Sequence, residues 1–188
     1  MNSIKFNRFL FLLIILLSFE GKAQLGMNFG DFPEKKGALF TGGTINLTFG
    51  NVTYIDIAPH FGTYLTDRIS IAGGLTYAYY SERAYNYNTY IYGGRAFARF
   101  DILQPLFIHG EMEALNIQNY NPLLPNTKRA WLFSPLAGIG YRQMYSELSG
   151  GYIMLLWNFN ETLEYPYGNP MFRLGFEFGW PSKKNNKR

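Results

Sequence analysis

The stretch Asn169 to Trp180, NPMFRLGFEFGW, alternates without a break. Phe172, Leu174, Phe176 and Phe178 fall on one face of an extended chain, and Arg173, Gly175 and Glu177 on the other. Successive side chains of a β-strand point to opposite faces, so a repeat of two specifies a strand with one apolar side and excludes an amphipathic helix. The pattern recurs. Tyr54 to Leu65 sets Ile55, Ile57, Pro59 and Phe61 against Asp56, Ala58, His60 and Gly62, and Ile69 to Tyr80 sets Ile69, Ile71, Leu75, Tyr77 and Tyr79 against Ser70, Ala72, Gly74, Thr76 and Ala78. Eight strands are predicted, near residues 38–49, 54–65, 69–80, 89–100, 106–117, 130–142, 150–159 and 170–180.

Strand length limits the architecture. A tilted strand crossing a bilayer needs about 9 to 11 residues, whereas strands in globular domains average about 5 or 6. The connections carry a second pattern. Thr66 to Arg68 and Asp101 to Pro105 read as tight turns, while SERAYNYN, QNYNPLLPNTKR and ETLEYPYGN are longer and rich in Asn, Tyr and Pro. Apart from the short first link, Gly50 to Thr53, short and long links alternate. The expected fold class is therefore all-β, an eight-stranded antiparallel up-and-down transmembrane β-barrel.

Which face points inward follows from the polar side chains. A soluble barrel would crowd its polar face with Lys, Glu, Asp and Asn, but here that face is mostly Gly, Ala, Ser, Thr and Tyr, and only 16% of the chain is charged. Its charges balance: Asp56, Glu111, Glu113 and Glu177 against Arg95, Arg99, Arg142 and Arg173. Ions paired in an enclosed lumen satisfy one another, so these eight residues are expected to form a structural ion-pair network. The opposite face, rich in Phe, Ile, Leu and Tyr, then meets lipid, since strands cross lipid only when closure leaves no unpaired edge. Tyr77, Tyr79, Tyr90, Tyr92, Trp131, Phe133, Trp157 and Trp180 fall near strand ends, where interfacial girdles form.

The N-terminus reads differently. Lys5 and Arg8 precede an apolar run from Phe9 to Phe19, followed by Gly21 to Gln24, which is the pattern of a secretory signal cut near Ala23. The expected division is a signal peptide at 1–23, a flexible lead-in at 24–37, an outer membrane β-barrel at 38–180 and a basic tail at 181–188. Cysteine is absent, so disulfides and thiol chemistry are excluded. The formal net charge of +4 resides in the signal and the tail, which together carry +6 and leave the body at −2. That is no footprint for nucleic acid.

The strands YGGRAFARF, HGEMEALN and PLAGIGYRQ, with the closing NPMFRLGFEFGW, extend over roughly Gly42 to Trp180. This region resembles the small eight-stranded outer membrane β-barrel proteins of Bacteroidetes-type bacteria. The resemblance implies residence in the outer membrane of a Gram-negative bacterium, with outer membrane lipid and the barrel assembly machinery as partners. It also implies that Phe172, Phe176, Phe178 and Trp180 form the aromatic terminal-strand signal that this machinery reads. The chain departs from the usual pattern by carrying Pro181 to Arg188 beyond the final aromatic.

Candidate chemistry is sparse. Ser134, His60 and Asp56 could be written as a triad, but Asp56 and His60 are four residues apart on one strand, about 13 Å. Glu111 and Glu113 lie two apart on one face, about 7 Å, a spacing that permits paired acid and base work. A turn centred near residue 103 sets Arg95 opposite Glu111, and one near 104 sets Arg95 opposite Glu113 and Arg99 opposite His109, so in either register a guanidinium neighbours the acids. His60 and His109, the two histidines, have no clustered carboxylate set that would make a metal site. No cofactor, metal or catalytic residue is expected.

The function expected is that of a non-enzymatic membrane scaffold, its lumen filled by side chains such as Arg95, Phe97 and Phe107, that displays surface loops. Two alternatives remain open at this point. Tyr and Asn enrichment in SERAYNYN and QNYNPLLPN suits loop-mediated adhesion to an extracellular partner, and a secreted soluble barrel carrying a small apolar ligand would show similar alternation.

Overall fold

Each alternating run forms one strand. The computed structural model describes residues 32–48, 50–85, 87–118, 129–160 and 169–181. Its strands are β1 (Leu39–Thr48), β2 (Val52–Tyr64), β3 (Ile69–Glu82), β4 (Tyr87–Asp101), β5 (Leu106–Gln118), β6 (Arg129–Met144), β7 (Gly150–Asn158) and β8 (Met171–Trp180). A single 3-10 turn, Arg83–Tyr85, joins β3 to β4. Residues 1–31, 49, 86, 119–128, 161–168 and 182–188, which include the expected signal peptide, most of the expected lead-in and the expected basic tail, lie outside the described residues.

Every strand is antiparallel to its chain neighbours, and β1 pairs with β8 from Leu39 opposite Trp180 to Ile45 opposite Leu174, which closes the sheet into a barrel in the order β1 to β8. Closure leaves no sheet edge to template aggregation. The links 65–68, 102–105 and 145–149 gather at one end, together with residues 32–38 and Pro181; from the other end depart the short links 49–51 and 83–86 and the two longer connections, 119–128 and 159–170. SERAYNYN, expected as a longer loop, is strand at both ends, because β3 runs on to Glu82 and β4 begins at Tyr87.

Strand β5 shows how the interior is ordered. Its inward side chains run from the short-turn end as Phe107, His109, Glu111, Glu113, Leu115 and Ile117, all buried, while Ile108 and Met112 are about half exposed on the outside. The charges therefore occupy the middle of the lumen. Beyond them, Tyr54, Ala78, Ile91, Leu115, Ile117 and Leu132 pack as an apolar layer towards the longer loops. A second cluster of Phe107, Leu136, Tyr152, Met154, Leu156 and Met171 lines the β5 to β8 side, and Ala38, Phe40 and Tyr64 fill the short-turn end. Full burial of one such side chain contributes about 1.5–3 kcal/mol.

Two inward glycines are demanded by the closeness of neighbouring strands. A Cβ on Gly93 would overlap the Ala114 carbonyl oxygen, and one on Gly138 the Leu155 carbonyl oxygen.

Another sequence expectation needs correction. Asp101 does not begin the β4–β5 turn; it ends β4, points inward and is 2% exposed. The reason is electrostatic: Lys35 Nζ approaches its Oδ2 to 3.1 Å and Arg142 Nη1 to 3.2 Å, so the carboxylate is drawn into the barrel mouth. The end of the expected lead-in is tied down with it. The backbone amides of Lys35 and Lys36 donate to Asp67 Oδ1 at 2.8 and 3.0 Å, and the Arg68 guanidinium lies 4.2 Å from the centre of the Phe32 ring.

Candidate functional site

Period-two alternation gives each strand one inward face, and an eight-stranded barrel is so narrow that inward side chains from opposite walls meet. All eight residues singled out as a lumen network are buried, none more than 6% exposed. Lys35 and Asp101 join them, giving five buried cations and five buried carboxylates.

The register matches a turn centred near residue 104: Arg95 stands opposite Glu113 and Arg99 opposite His109. The charges, however, are satisfied across the lumen more than along the strand pair. Arg173 of β8 donates through Nη1 to both oxygens of Glu111 on β5, at 2.8 and 3.0 Å, and its Nη2 lies 3.9 Å from Glu113. Arg99 of β4 pairs with Glu177 of β8, whose other oxygen lies 3.8 Å from Arg142 Nε. Arg95 donates to Thr44 Oγ1 at 2.5 Å and to the Ala58 carbonyl at 2.7 Å, with Glu111 3.9 Å away. Charge-assisted bonds of this kind are the stronger class.

Both histidines belong to this network. His109 Nε2 lies 2.9 Å from Glu111 Oε2, and its Nδ1 accepts from Arg99 Nε at 3.1 Å, which places the ring proton on Nε2. His60 Nε2 is 3.6 Å from Glu177, its ring edge-on to Phe97. Aromatic rings also sheathe the arginines: the Arg99 guanidinium lies 4.4 to 5.1 Å from the ring centres of Phe97, Phe107 and Tyr152.

The arrangement has few of the features of a catalytic centre. Ser134 stands opposite Glu113, His60 opposite Gly42 and Gly74, and Asp56 opposite Asn46 and Ala78, so the written triad is not assembled. Glu111 and Glu113 are drawn to one guanidinium, that of Arg173. Among the described residues no three His, Asp or Glu side chains gather as metal ligands. Buried nitrogens of Arg95 and Arg142 and the Ser134 hydroxyl have no protein hydrogen-bond partner.

Strand β8 turns Phe172, Phe176, Phe178 and Trp180 outward, between 44% and 66% exposed. The lumen features that the sequence reading did not single out are Lys35, Asp101 and the apolar layer. The layer was signalled by parity, since Ile91 shares the phase of Arg95, and Leu115 and Ile117 that of Glu113. The loops named for adhesion are described only in part, because residue 86 and residues 119–128 lie outside the described residues.

No protein-family model and no curated protein matches the chain. Among solved structures, it is similar to the crystal structure of the N-terminal β-barrel domain of Pseudomonas aeruginosa OprF, with 17% sequence identity and a TM-score of 0.50 over 78% of this chain and 99% of that one. The likeness bears on the fold: a closed eight-stranded antiparallel barrel.

Proposed function

We propose that this chain is an integral outer membrane β-barrel that catalyses no reaction and serves as a scaffold displaying its longer loops. One observation carries the reading, the inversion of ordinary burial. Leu75, Phe172 and Phe133 are 61 to 69% exposed around the outside, while Glu113 and Arg173 are completely buried within. A soluble protein rarely presents a continuous apolar belt of this kind, but a lipid-embedded one requires it. Tyr77, Tyr90, Tyr92 and Trp131 lie on the outer face towards the longer loops, with Trp180 at the opposite rim, as two interfacial girdles would. The resemblance to outer membrane barrels and the signal-like N-terminus support export to that membrane, where β8 would present its aromatic face to the assembly machinery.

A filled lumen opposes two other roles. A carrier of small apolar ligands needs an empty apolar interior, whereas this one holds an ion network and a packed apolar layer. A pore needs a continuous wet path, and the buried apolar cluster of Tyr54, Ile91, Leu115 and Leu132 weighs against one. Reconstitution of the purified monomer into planar bilayers tests the reading. Little or no steady conductance is expected; a large, steady conductance would overturn the filled-lumen scaffold.

A further inference from the structure

The strands of the barrel do not balance their own charge. With both histidines neutral, they bury five carboxylates, Asp101 among them, against four guanidinium groups among the described residues. The fifth buried cation, Lys35, comes from outside the strands, in the segment that leads into β1 at Leu39. A buried charge without a counterpart is costly, so the wall needs one more positive charge and takes it from this segment.

Local geometry aims the lysine into the barrel mouth. Asp67 Oδ1, in the β2–β3 link, accepts from the amides of Lys35 and Lys36 at 2.8 and 3.0 Å. Ala38 N donates back to the Lys35 carbonyl at 2.8 Å, and Gly37 N donates to the Tyr64 carbonyl at 2.8 Å, so the chain turns over the rim against the end of β2. Lys36 stays exposed while Lys35 is 3% exposed. Lys35 Nζ donates to Asp101 Oδ2 at 3.1 Å and lies 5.3 Å from the centre of the Tyr64 ring. A carboxylate beside an aromatic ring is a pairing that holds an ammonium ion, the first through a charge-assisted hydrogen bond and the second through its π face.

Both groups keep a partner when the lysine is gone. Asp101 also accepts from Arg142 Nη1, at 3.3 and 3.2 Å through its two oxygens, and the Tyr64 ring packs on Phe40 with 5.2 Å between centres. Asp101 ends β4 at the short-turn rim, so a solute reaches it without crossing the charged middle of the lumen.

We propose that Asp101 and Tyr64 form a site for a primary ammonium ion at the short-turn mouth, filled by Lys35 as a tethered plug and open to a small soluble alkylammonium ion when that lysine is removed. The seat belongs to the closed barrel whatever surrounds it, so it goes beyond the scaffold reading and does not rest on it.

Lys35→Ala removes three methylenes and the ammonium nitrogen, the atoms of n-propylammonium. The test is urea unfolding of the full chain in detergent micelles, where the membrane reading is not at stake. The buffer is held well above the ordinary histidine value of about 6.5, so that neither imidazole supplies the missing charge. n-Propylammonium, tetramethylammonium and sodium chlorides are compared at matched ionic strength. Without amine, Lys35→Ala should lower the folding equilibrium constant about ten- to a hundredfold, the worth of a hydrogen bond to a charged group. n-Propylammonium should restore it saturably, about tenfold at ten times its dissociation constant, whereas tetramethylammonium, which has no N–H to donate, and sodium should not. The unaltered chain, whose seat is filled, should not respond. Neither should Lys35→Ala/Asp101→Asn, which lacks the carboxylate, nor Lys35→Met, which fills the seat without charge. A Lys35→Ala chain that folds only with n-propylammonium supports the proposal. Full stability of Lys35→Ala without amine would mean that a carboxyl takes up a proton instead, and overturns it. So do equal rescue by the three salts, rescue that survives in either control variant, and failure to fold in all three salts.

Discussion

Replacing Glu111 by Gln removes a charge from the lumen with almost no change of shape. The carboxylate accepts from Arg173 Nη1 at 2.8 and 3.0 Å, lies 2.9 Å from His109 Nε2 and faces Arg95 Nη1 at 3.9 Å. Its side chain is 1% exposed and that of Arg173 0%. Removing one partner of such a pair leaves the buried network one negative charge short, which costs about 3–5 kcal/mol, whereas an exposed pair is worth only about 0.2–1 kcal/mol. The two regimes are separable. Glu111→Gln is expected to lower the folding equilibrium constant by roughly two to three and a half orders of magnitude. The assay is urea unfolding from phospholipid vesicles, followed by the emission of Trp131, Trp157 and Trp180. Glu111→Leu combined with Arg173→Leu removes one charge of each sign, leaves Arg95 opposite Glu113, and should recover most of the loss. A loss below about 1 kcal/mol for Glu111→Gln alone would mean that water reaches the cluster, and the closed-lumen reasoning would fail.

Other expectations follow from local geometry. Gly138→Ala drives a Cβ into the Leu155 carbonyl and should destabilise the barrel by about 1–3 kcal/mol or prevent folding, whereas Gly110→Ala meets open space and should gain about 0.5–1 kcal/mol; the same urea titration compares them. Asp67, in the β2–β3 turn, has its carboxyl held below the ordinary carboxylate value by hydrogen bonds from the amides of Lys36 and Lys35. Its folded-state pKa is depressed, so its contribution to docking the segment around Lys35 is present above the ordinary value and lost as pH falls through the depressed one. Hydrogen exchange at the Lys35 and Lys36 amides, corrected for intrinsic rates, should show protection at neutral pH that fades in acid, and Asp67→Ala should lack it throughout; protection unchanged in acid would contradict the assignment.

Much of the fold was legible because its dominant constraint is local. Alternation in NPMFRLGFEFGW fixed the facing of β8 residue by residue, and the same parity placed Arg95, Arg99, Glu111 and Glu113 inside. Parity names a face; it does not name partners across a closed lumen. Arg173 reaches Glu111 from β8 to β5, and Arg99 reaches Glu177 from β4 to β8, pairings set by closure and by the length of the arginine side chain. Asp101 was misread for a related reason, because an Asp beside a turn ordinarily caps it, and only the ordered approach of Lys35 draws it inward. The apolar layer of Ile91, Leu115 and Ile117 was legible in phase but was overshadowed by the charges beside it.

The central claim is that the apolar face of the strands meets lipid and the charged face meets the lumen. The chain has no cysteine, so single cysteines placed in turn from 172 to 178 and spin-labelled in vesicle-reconstituted protein read each position without background. Oxygen, which concentrates in lipid, should relax labels at 172, 174, 176 and 178 most strongly, while labels at 173, 175 and 177 are shielded from both oxygen and water-soluble nickel chelates. Strong nickel relaxation at the even positions, with no oxygen maximum, would show that this face meets water and would contradict the account.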